Sequence, residues 1–405
     1  MTAFAKRTIR DVDPSGKKVL LRLDLNVPLK ASPSGGQVVA DDTRIRAALP
    51  TIASLLERGA ALALCSHLGR PTKRDPGLSL APVAAVLAEL LGRPVSLLPD
   101  CVGPDVRAAV VKLRRGEVVL LENVRFHPEE ERNDPAFAKD LAAGYDLFVN
   151  DAFGAAHRAH ASTEGVAKVL PAYAGLLLES ELKVLGGLLT EPKKPFVAII
   201  GGAKVSSKID VLRSLVPKVD TLAVGGGMAN TFLLATGRKV GTSLVEEDRT
   251  GEAARIIEEI EGDRKRILLP VDVLCAPSVD ADGAERAVTY DVDEVPDGMA
   301  IVDIGPRTIA QYRDVIREAR TVFWNGPVGV FEIDAFAMGT RQVAQFMANN
   351  PSATTVVGGG ESVQAVTEAG LADKMTHVST GGGASLELIE GKTLPGVAVI
   401  PDRGD

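Results

Sequence analysis

Only three cysteines occur in 405 residues, at 65, 101 and 275. They are odd in number, far apart, and form no Cys-x-x-Cys pair. A disulfide framework and a structural zinc site are therefore not expected, and a reducing compartment fits. Long apolar runs are also missing: none approaches the ~18 uncharged residues of a membrane-spanning helix. The opening stretch from Met1 to Asp13 has no apolar core of signal-peptide length. A basic excess is lacking too. Lys and Arg number 46 against 53 Asp and Glu, a net charge of -7, which argues against a protein held on nucleic acid by phosphate neutralisation. These absences predict a cytoplasmic protein with no membrane or nucleic-acid partner. Two nucleotide signatures are absent as well. Gly391-Lys392-Thr393 has the tail of a Walker A motif, but Leu386 stands where its first Gly belongs. Gly225 and Gly227 are followed by Asn230 where a dinucleotide fingerprint needs Gly.

What is abundant is glycine, at 40 residues, in a chain 45% apolar. Cores stop growing near ~250–300 residues, so more than one domain is expected. Short apolar runs read as strands at Val19–Val27, Ala60–Ser66, Val118–Leu121, Asp146–Asn150, Phe196–Ile200, Thr221–Val224, Ile267–Pro270, Ala300–Ile304, Thr321–Trp324, Thr354–Val357 and His377–Ser379. Helical patterns such as Arg44–Arg58, Ala81–Leu91, Val205–Leu215 and Ile309–Ala319 lie between them. That alternation predicts an α/β protein with parallel sheets covered on both faces. The stretch Ala172–Thr190 reads as a long helix ending in a Pro/Lys break. It divides the chain into two doubly wound, Rossmann-like domains, 1–172 and 173–390, joined by a helix hinge. The tail 391–405 is expected to cross back to the first.

In the first half, polar residues follow the strand ends: Asp24 and Asn26, Arg44, His67 and Arg70, Arg125, and Arg158. Parallel strands end at one edge, so these side chains converge where ligands bind. Guanidinium forks suit phosphate and carboxylate, and Asp24 and Asn26 suit a hydroxyl. A small, multiply anionic ligand is predicted, against the alternative of scattered surface charges. Arg22 and Arg46 read as surface charges flanking the site, and Asp41 and Asp42 as acids at a helix start. His127 reads as part of a solvated loop. His157 and His160 either line the pocket or bond within their own turn.

In the second half, glycine-rich segments follow strands at Gly201-Gly202-Ala203-Lys204, Gly225–Gly227, Gly358–Ser362 and Thr380–Gly383. Strand, small-residue loop and helix together make a phosphate cradle of backbone N–H groups. Lys204 and Lys208, four apart, are expected to share one helix face. Asn325 and Glu332 bracket a Gly/Pro loop that either binds ribose or base, or is a structured turn.

Nine strings, LRLDLNVP, DDTRIRAALPTI, SHLGRP, LLENVRFHPEE, NDAFGAAHRAHAST, GGAKVSSKI, WNGPVGVFE, VGGGES and STGGGASLELIEGK, resemble the phosphoglycerate kinase family in order and spacing across essentially the whole chain. The resemblance implies a monomeric, hinge-bending glycolytic kinase that moves a phosphoryl group between 1,3-bisphosphoglycerate and ADP, giving 3-phosphoglycerate and ATP. It implies 3-phosphoglycerate on Asp24, Asn26, Arg44, His67, Arg70, Arg125 and Arg158. It implies Mg-nucleotide on Gly202, Ala203, Lys204, Lys208, Gly226, Asn325, Glu332, Gly359, Gly360, Glu361 and Ser362. Arg44 and Lys204 are assigned to the reacting phosphoryl group, with backbone N–H groups near Gly358 and Gly381. The family usually has Asp at the position of Glu361, the expected Mg²⁺ carboxylate, and Thr at that of Ser362. Alternatives are another carboxylate kinase of the same architecture, a two-domain anion-binding protein, and a nicotinamide dehydrogenase.

Overall fold

A computed structural model describes residues 5–33, 35–262 and 265–404. Two compact units divide the chain: Met1–Lys183 with Thr393–Asp405, and Val184–Lys392.

The first unit is built on a six-stranded parallel sheet. Its strands are β1 (Lys18–Arg22), β2 (Ala61–Cys65), β3 (Ser96–Leu97), β4 (Val118–Leu120), β5 (Leu147–Asn150) and β6 (Ala172–Ala174), in the order β3-β4-β2-β1-β5-β6. Every residue of β2 and β5 is buried, as expected for strands covered on both faces. The chain winds from β1 toward β2 on one side and reaches β5 on the other, so the switch point lies between β1 and β5. Helix α1 (Thr43–Glu57) packs Ile45, Ala48, Ile52 and Leu55 into the core. Asp41 accepts from the backbone N–H of Thr43 at its start. The tail rejoins this unit through Arg7 N to Pro401 O, Gly396 N to Ala156 O, and the Arg403–Asp11 ion pair.

Helix α2 (Leu176–Thr190) carries the chain from the first unit into the second. Its first turn is capped by side chains of the first unit: Leu176 N–H donates to Thr51 Oγ1 at 2.9 Å, and Leu178 N–H to Asp151 Oδ1 at 3.0 Å.

The second unit has strands β7 (Phe196–Ile200), β8 (Thr221–Val224), β9 (Arg266–Leu268), β10 (Asp272–Ala276), β11 (Val288–Asp291), β12 (Ala300–Ile304), β13 (Thr321–Asn325), β14 (Thr354–Gly358) and β15 (His377–Val378). Six of them form a parallel sheet in the order β9-β8-β7-β13-β14-β15, with its switch point between β7 and β13. The other three form an antiparallel sheet, β11-β10-β12. This corrects the expectation that Ala300–Ile304 lies in a parallel sheet. Only the four-residue helix Ala281–Ala284 separates β10 from β11, too little for the crossover that parallel neighbours need.

A second correction concerns the predicted helix Val205–Leu215, which begins only at Ile209 (α3, Ile209–Leu215). Ser207 Oγ donates to Lys204 O, and Ser206 gives both its N–H and its Oγ–H to Glu246. Such side-chain bonds compete with a helical turn. Lys204 and Lys208 therefore sit in a turn rather than on one helix face.

Asp303, on β12, is 2% exposed and accepts N–H bonds from Gly339 at 2.7 Å and Ile304 at 2.8 Å. Burial pushes its carboxyl from the ordinary 3.8 up to about 7, against those two hydrogen bonds. A raised native pKa contributes stability that is complete below the ordinary value and is lost as pH rises through the native one. Wild type should lose on the order of 3 kcal/mol more than Asp303→Asn between pH 5 and pH 8. Parallel urea-unfolding curves for the two proteins across that range would show the carboxyl to be ordinary.

Candidate functional site

The loops leaving the first sheet at its carboxyl edge are locked to one another by side chains. Leu25 N–H donates to Ser66 Oγ at 2.9 Å, and Gly69 N–H to Asn26 Oδ1 at 2.8 Å. Asn123 accepts from Leu68 N–H and donates to the carbonyls of Leu68 and Leu78. On this frame stand the cations. Arg44, in the first turn of α1, pairs with Asp24 Oδ1 at 3.0 Å and donates to Asn26 O at 3.1 Å. Arg125 donates from Nη1 to Gly69 O at 2.8 Å and pairs with Glu131 at 3.1 Å. Arg158 is half-buried and donates from Nε to His157 Nε2 at 3.1 Å.

His67 is 5% exposed. Burial holds its imidazole well below the usual range, and the positive charges of Arg22, Arg125, Arg44 and Arg158 push it further the same way. Arg125 is itself lowered to about 10 by burial, with Arg22 and Arg158 adding to the effect and Glu131 opposing it. The cations thus act on one another and on one ring. Asp24, Asn26, Arg44, His67, Arg125 and Arg158 share this edge, whereas Arg70 is exposed one residue beyond Gly69.

Two residues differ from the sequence reading, and a third, Glu130, was missed by it. Arg22, expected at the surface, is 1% exposed at the end of β1. It donates from Nε to Ser162 Oγ at 2.7 Å and from Nη2 to His67 Nδ1 at 3.1 Å. The available signal was its place in Val19-Leu-Leu-Arg22-Leu, an apolar run too short to bring a charge to solvent. His127 is not simply solvated, because its Nε2 lies 2.6 Å from Asp100 Oδ1. Glu130 is fully buried and takes both the N–H and the Oγ–H of Ser162. Neither Asp100 nor Ser162 is near its partner in sequence, so spacing offered no signal. Arg46, by contrast, is exposed and pairs with Asp42 one turn away, as a surface charge does.

In the second unit the loops after β7, β8 and β13 are joined backbone to backbone. Gly202 N–H donates to Pro327 O, Gly226 N–H to Val328 O, and Met228 N–H to Gly202 O. Only glycine allows this approach at two points. A Cβ on Gly326, whose φ is +91°, would stand 2.2 Å from Gly201 O, and one on Gly226, at φ +67°, 2.7 Å from Pro327 O. Helix α4 (Gly226–Ala235) starts at the loop after β8 and helix α5 (Gly360–Glu368) at the loop after β14, so their positive ends face the same edge.

A cavity of about 520 Å³ opens there, lined by Gly202, Ala203, Gly226, Pro327, Glu332 and Glu361 together with apolar Leu244, Val302 and Val330. A second, of about 260 Å³, is lined by Lys208, Asn325, Gly359, Gly360, Glu361 and Gly383. The first has the size and apolar walls of a ligand pocket. The second is small and rimmed by glycine amides. Lys208 Nζ donates to Asn325 Oδ1. Its ammonium is lowered by burial, with Glu361 and Glu390 opposing. The buried Nδ2 of Asn325 has no partner among the described residues. Ser362 Oγ accepts from Gly326 N–H at 2.6 Å, and Gly381 N–H donates to Ser379 Oγ at 3.2 Å. Gly358 closes β14, and Lys204 and Glu332 are exposed. Glu361 lies exposed in the first turn of α5 and borders both cavities. A carboxylate oxygen there suits a hard divalent cation such as Mg²⁺.

The family model for phosphoglycerate kinase matches residues 9–392. A phosphoglycerate kinase of Herpetosiphon aurantiacus is 56% identical over 399 residues, covering 98% of this chain and 100% of that one. One of Rubrobacter xylanophilus is 58% identical over 399 residues, covering 98% and 99%. The solved structure of phosphoglycerate kinase from Coxiella burnetii superposes with a TM-score of 0.88 at 42% identity and covers 98% of each chain. Matched from end to end in sequence and in fold, the chain belongs to the phosphoglycerate kinase family.

Proposed function

We propose that this phosphotransferase moves a phosphoryl group reversibly between 1,3-bisphosphoglycerate and ADP, giving 3-phosphoglycerate and ATP, as a cytoplasmic monomer of glycolysis and gluconeogenesis. No described helix is long and apolar enough to cross a membrane, which is compatible with that setting. The observation that carries the reading is the grouping of Arg44, Arg125 and Arg158 around a neutral, nearly buried His67. Such a concentration of guanidinium groups on an otherwise acidic protein calls for a small polyanion. In this reading 3-phosphoglycerate takes Asp24, Asn26, Arg44, His67, Arg70, Arg125 and Arg158. The nucleotide takes the glycine loops of the second unit, with its base and ribose in the larger cavity beside Glu332 and its phosphates toward Lys204, Lys208, Asn325 and residues 358–362.

The acceptor in the ATP-consuming direction is a carboxylate, ionised at neutral pH, so no general base is required. The protein must align the two oxygens and stabilise charge on the transferring group. Arg44, Lys204 and the backbone N–H groups near Gly358 and Gly381 are assigned to that charge. Glu361 would hold Mg²⁺, which when bound offsets the charge of the nucleotide phosphates. Bending at α2 is assigned the task of bringing the substrates into line and excluding water from the acyl phosphate.

A coupled assay with Mg-ATP and 3-phosphoglycerate, following ADP, tests the reading; other phosphorylated acids should be turned over far more slowly. Arg44→Ala should lower kcat by about 10²-fold, on the scale of one lost charge-stabilising donor, and raise KM by less. A change in KM alone would remove Arg44 from the transition state. Lys204 is exposed, so Lys204→Ala should keep its melting temperature while kcat falls by a comparable factor. Near-normal turnover would refute its role.

A further inference from the structure

We propose that Arg22 is a positioning residue that locks His67 as a neutral imidazole with its proton on Nε2, so that the anion site meets its ligand with an N–H donor whose charge does not change on mild acidification. The ligand half of this proposal rests on the function proposed above; the tautomer half does not.

The argument starts from a donor count. Nη2 of Arg22 lies 3.1 Å from Nδ1 of His67. A guanidinium carries five N–H donors and no acceptor, and it does not lose a proton in proteins. Nδ1 must therefore be the acceptor, and the single proton of the neutral ring is on Nε2. Protonating Nδ1 would oppose two N–H groups and two positive charges inside a nearly dry site.

Arg22 has no freedom to yield. Its Nε is held by Ser162 Oγ at 2.7 Å and its Nη1 by Leu23 O. Ser162 is fixed in turn by the fully buried Glu130, through its Oγ–H at 2.5 Å and its N–H at 2.8 Å. Three elements besides β1 bring charge toward the ring: α1 with Arg44, the loop after β4 with Arg125, and the loop after β5 with Arg158. The carboxylates nearby are already engaged, Asp24 by Arg44 and Glu130 by Ser162. Nothing on the anionic side stabilises an imidazolium. Among the described residues Nε2 of His67 has no hydrogen-bond partner, although the side chain is 5% exposed. A phosphate, carboxylate or hydroxyl oxygen would supply one.

Long-range ¹H–¹⁵N spectra of the imidazoles, with His67→Gln used for assignment, test this on the unmodified protein. The expected result is the Nε2–H tautomer with no titration between pH 5 and pH 8. The Nδ1–H tautomer, or protonation with a midpoint above pH 6, would overturn it. Adding 3-phosphoglycerate should shift the Nε2 resonance; an unmoved resonance would overturn the ligand half and leave the tautomer result standing. The paired variant Arg22→Met with Glu130→Gln leaves no uncompensated buried charge. In it His67 should titrate at a higher pH than in wild type, though still below its ordinary range, because burial and the charges of Arg44, Arg125 and Arg158 remain. KM for 3-phosphoglycerate should become pH-dependent across that midpoint by several-fold, with kcat within about two-fold. A fall in melting temperature with a flat KM profile would show Arg22 to be merely structural. Arg22→Lys restores a donor and should restore the flat profile. Where the paired variant fails to fold, the tautomer spectrum of wild type decides.

Discussion

A strand that leaves a parallel sheet loses its ladder partners at its carboxyl end, and the freed amides and carbonyls must find new ones. Both units are organised by that demand. In the first, asparagines stand at the exits: Asn26 takes Gly69 N–H, Asn123 takes Leu68 N–H and Arg125 N–H, and Asn150 takes Ala152 N–H while donating to Gly396 O. In the second, the loops satisfy one another directly through Gly202, Gly226, Pro327 and Val328. The polar edge where ligands can bind exists because the same edge cannot be left unsatisfied.

The two solutions produce different electrostatics. Side-chain bracing leaves room for bulky cations, and the first unit gathers Arg22, Arg44, Arg125 and Arg158 around His67. Like charges so close repel, and the repulsion is met by carboxylates beside three of the four cations: Asp24 for Arg44, Glu131 for Arg125, and Glu130 behind Ser162 for Arg22. Backbone bracing in the second unit leaves no such room. There the positive field comes from the starts of α4 and α5, with Lys208 as a half-buried point charge beside Asn325.

The sequence was most legible where burial on both faces leaves one interpretation. Phe196–Ile200 and Thr221–Val224 stand in the structure with the bounds expected of them, and so does Ala81–Leu91, a helix that buries one face through Val83, Ala84 and Leu87. The strand expected to reach Val27 stops at Arg22, because the chain beyond it bonds to the loop after β2 instead. The antiparallel sheet β11-β10-β12 was missed because its edge strand Val288–Asp291 is half exposed and has no apolar run. Strand polarity pointed to Arg44, His67, Arg125 and Arg158 at one edge but left scattered surface charges as the alternative, and the family resemblance chose between them. The dependence of these residues on Arg22, Glu130 and Ser162 followed from neither, since Arg22 meets Ser162 across 140 positions of sequence and Ser162 meets Glu130 across 32. The turn at Lys204–Lys208 was hidden for a similar reason: the acceptor that unwinds it is Glu246, forty residues on.

The tail packed on the first unit has a consequence for biogenesis. The pairings of Arg403 with Asp11 and of Gly396 with Asn150 and Ala156 join a segment that follows the second unit in sequence to residues that precede it. The second unit is continuous in sequence, from Val184 to Lys392, and has all its parts once Lys392 has been made. The unit that begins first therefore waits for the whole of the second before its own last segment exists, and until then the Asn150 side chain lacks the Gly396 carbonyl it bonds.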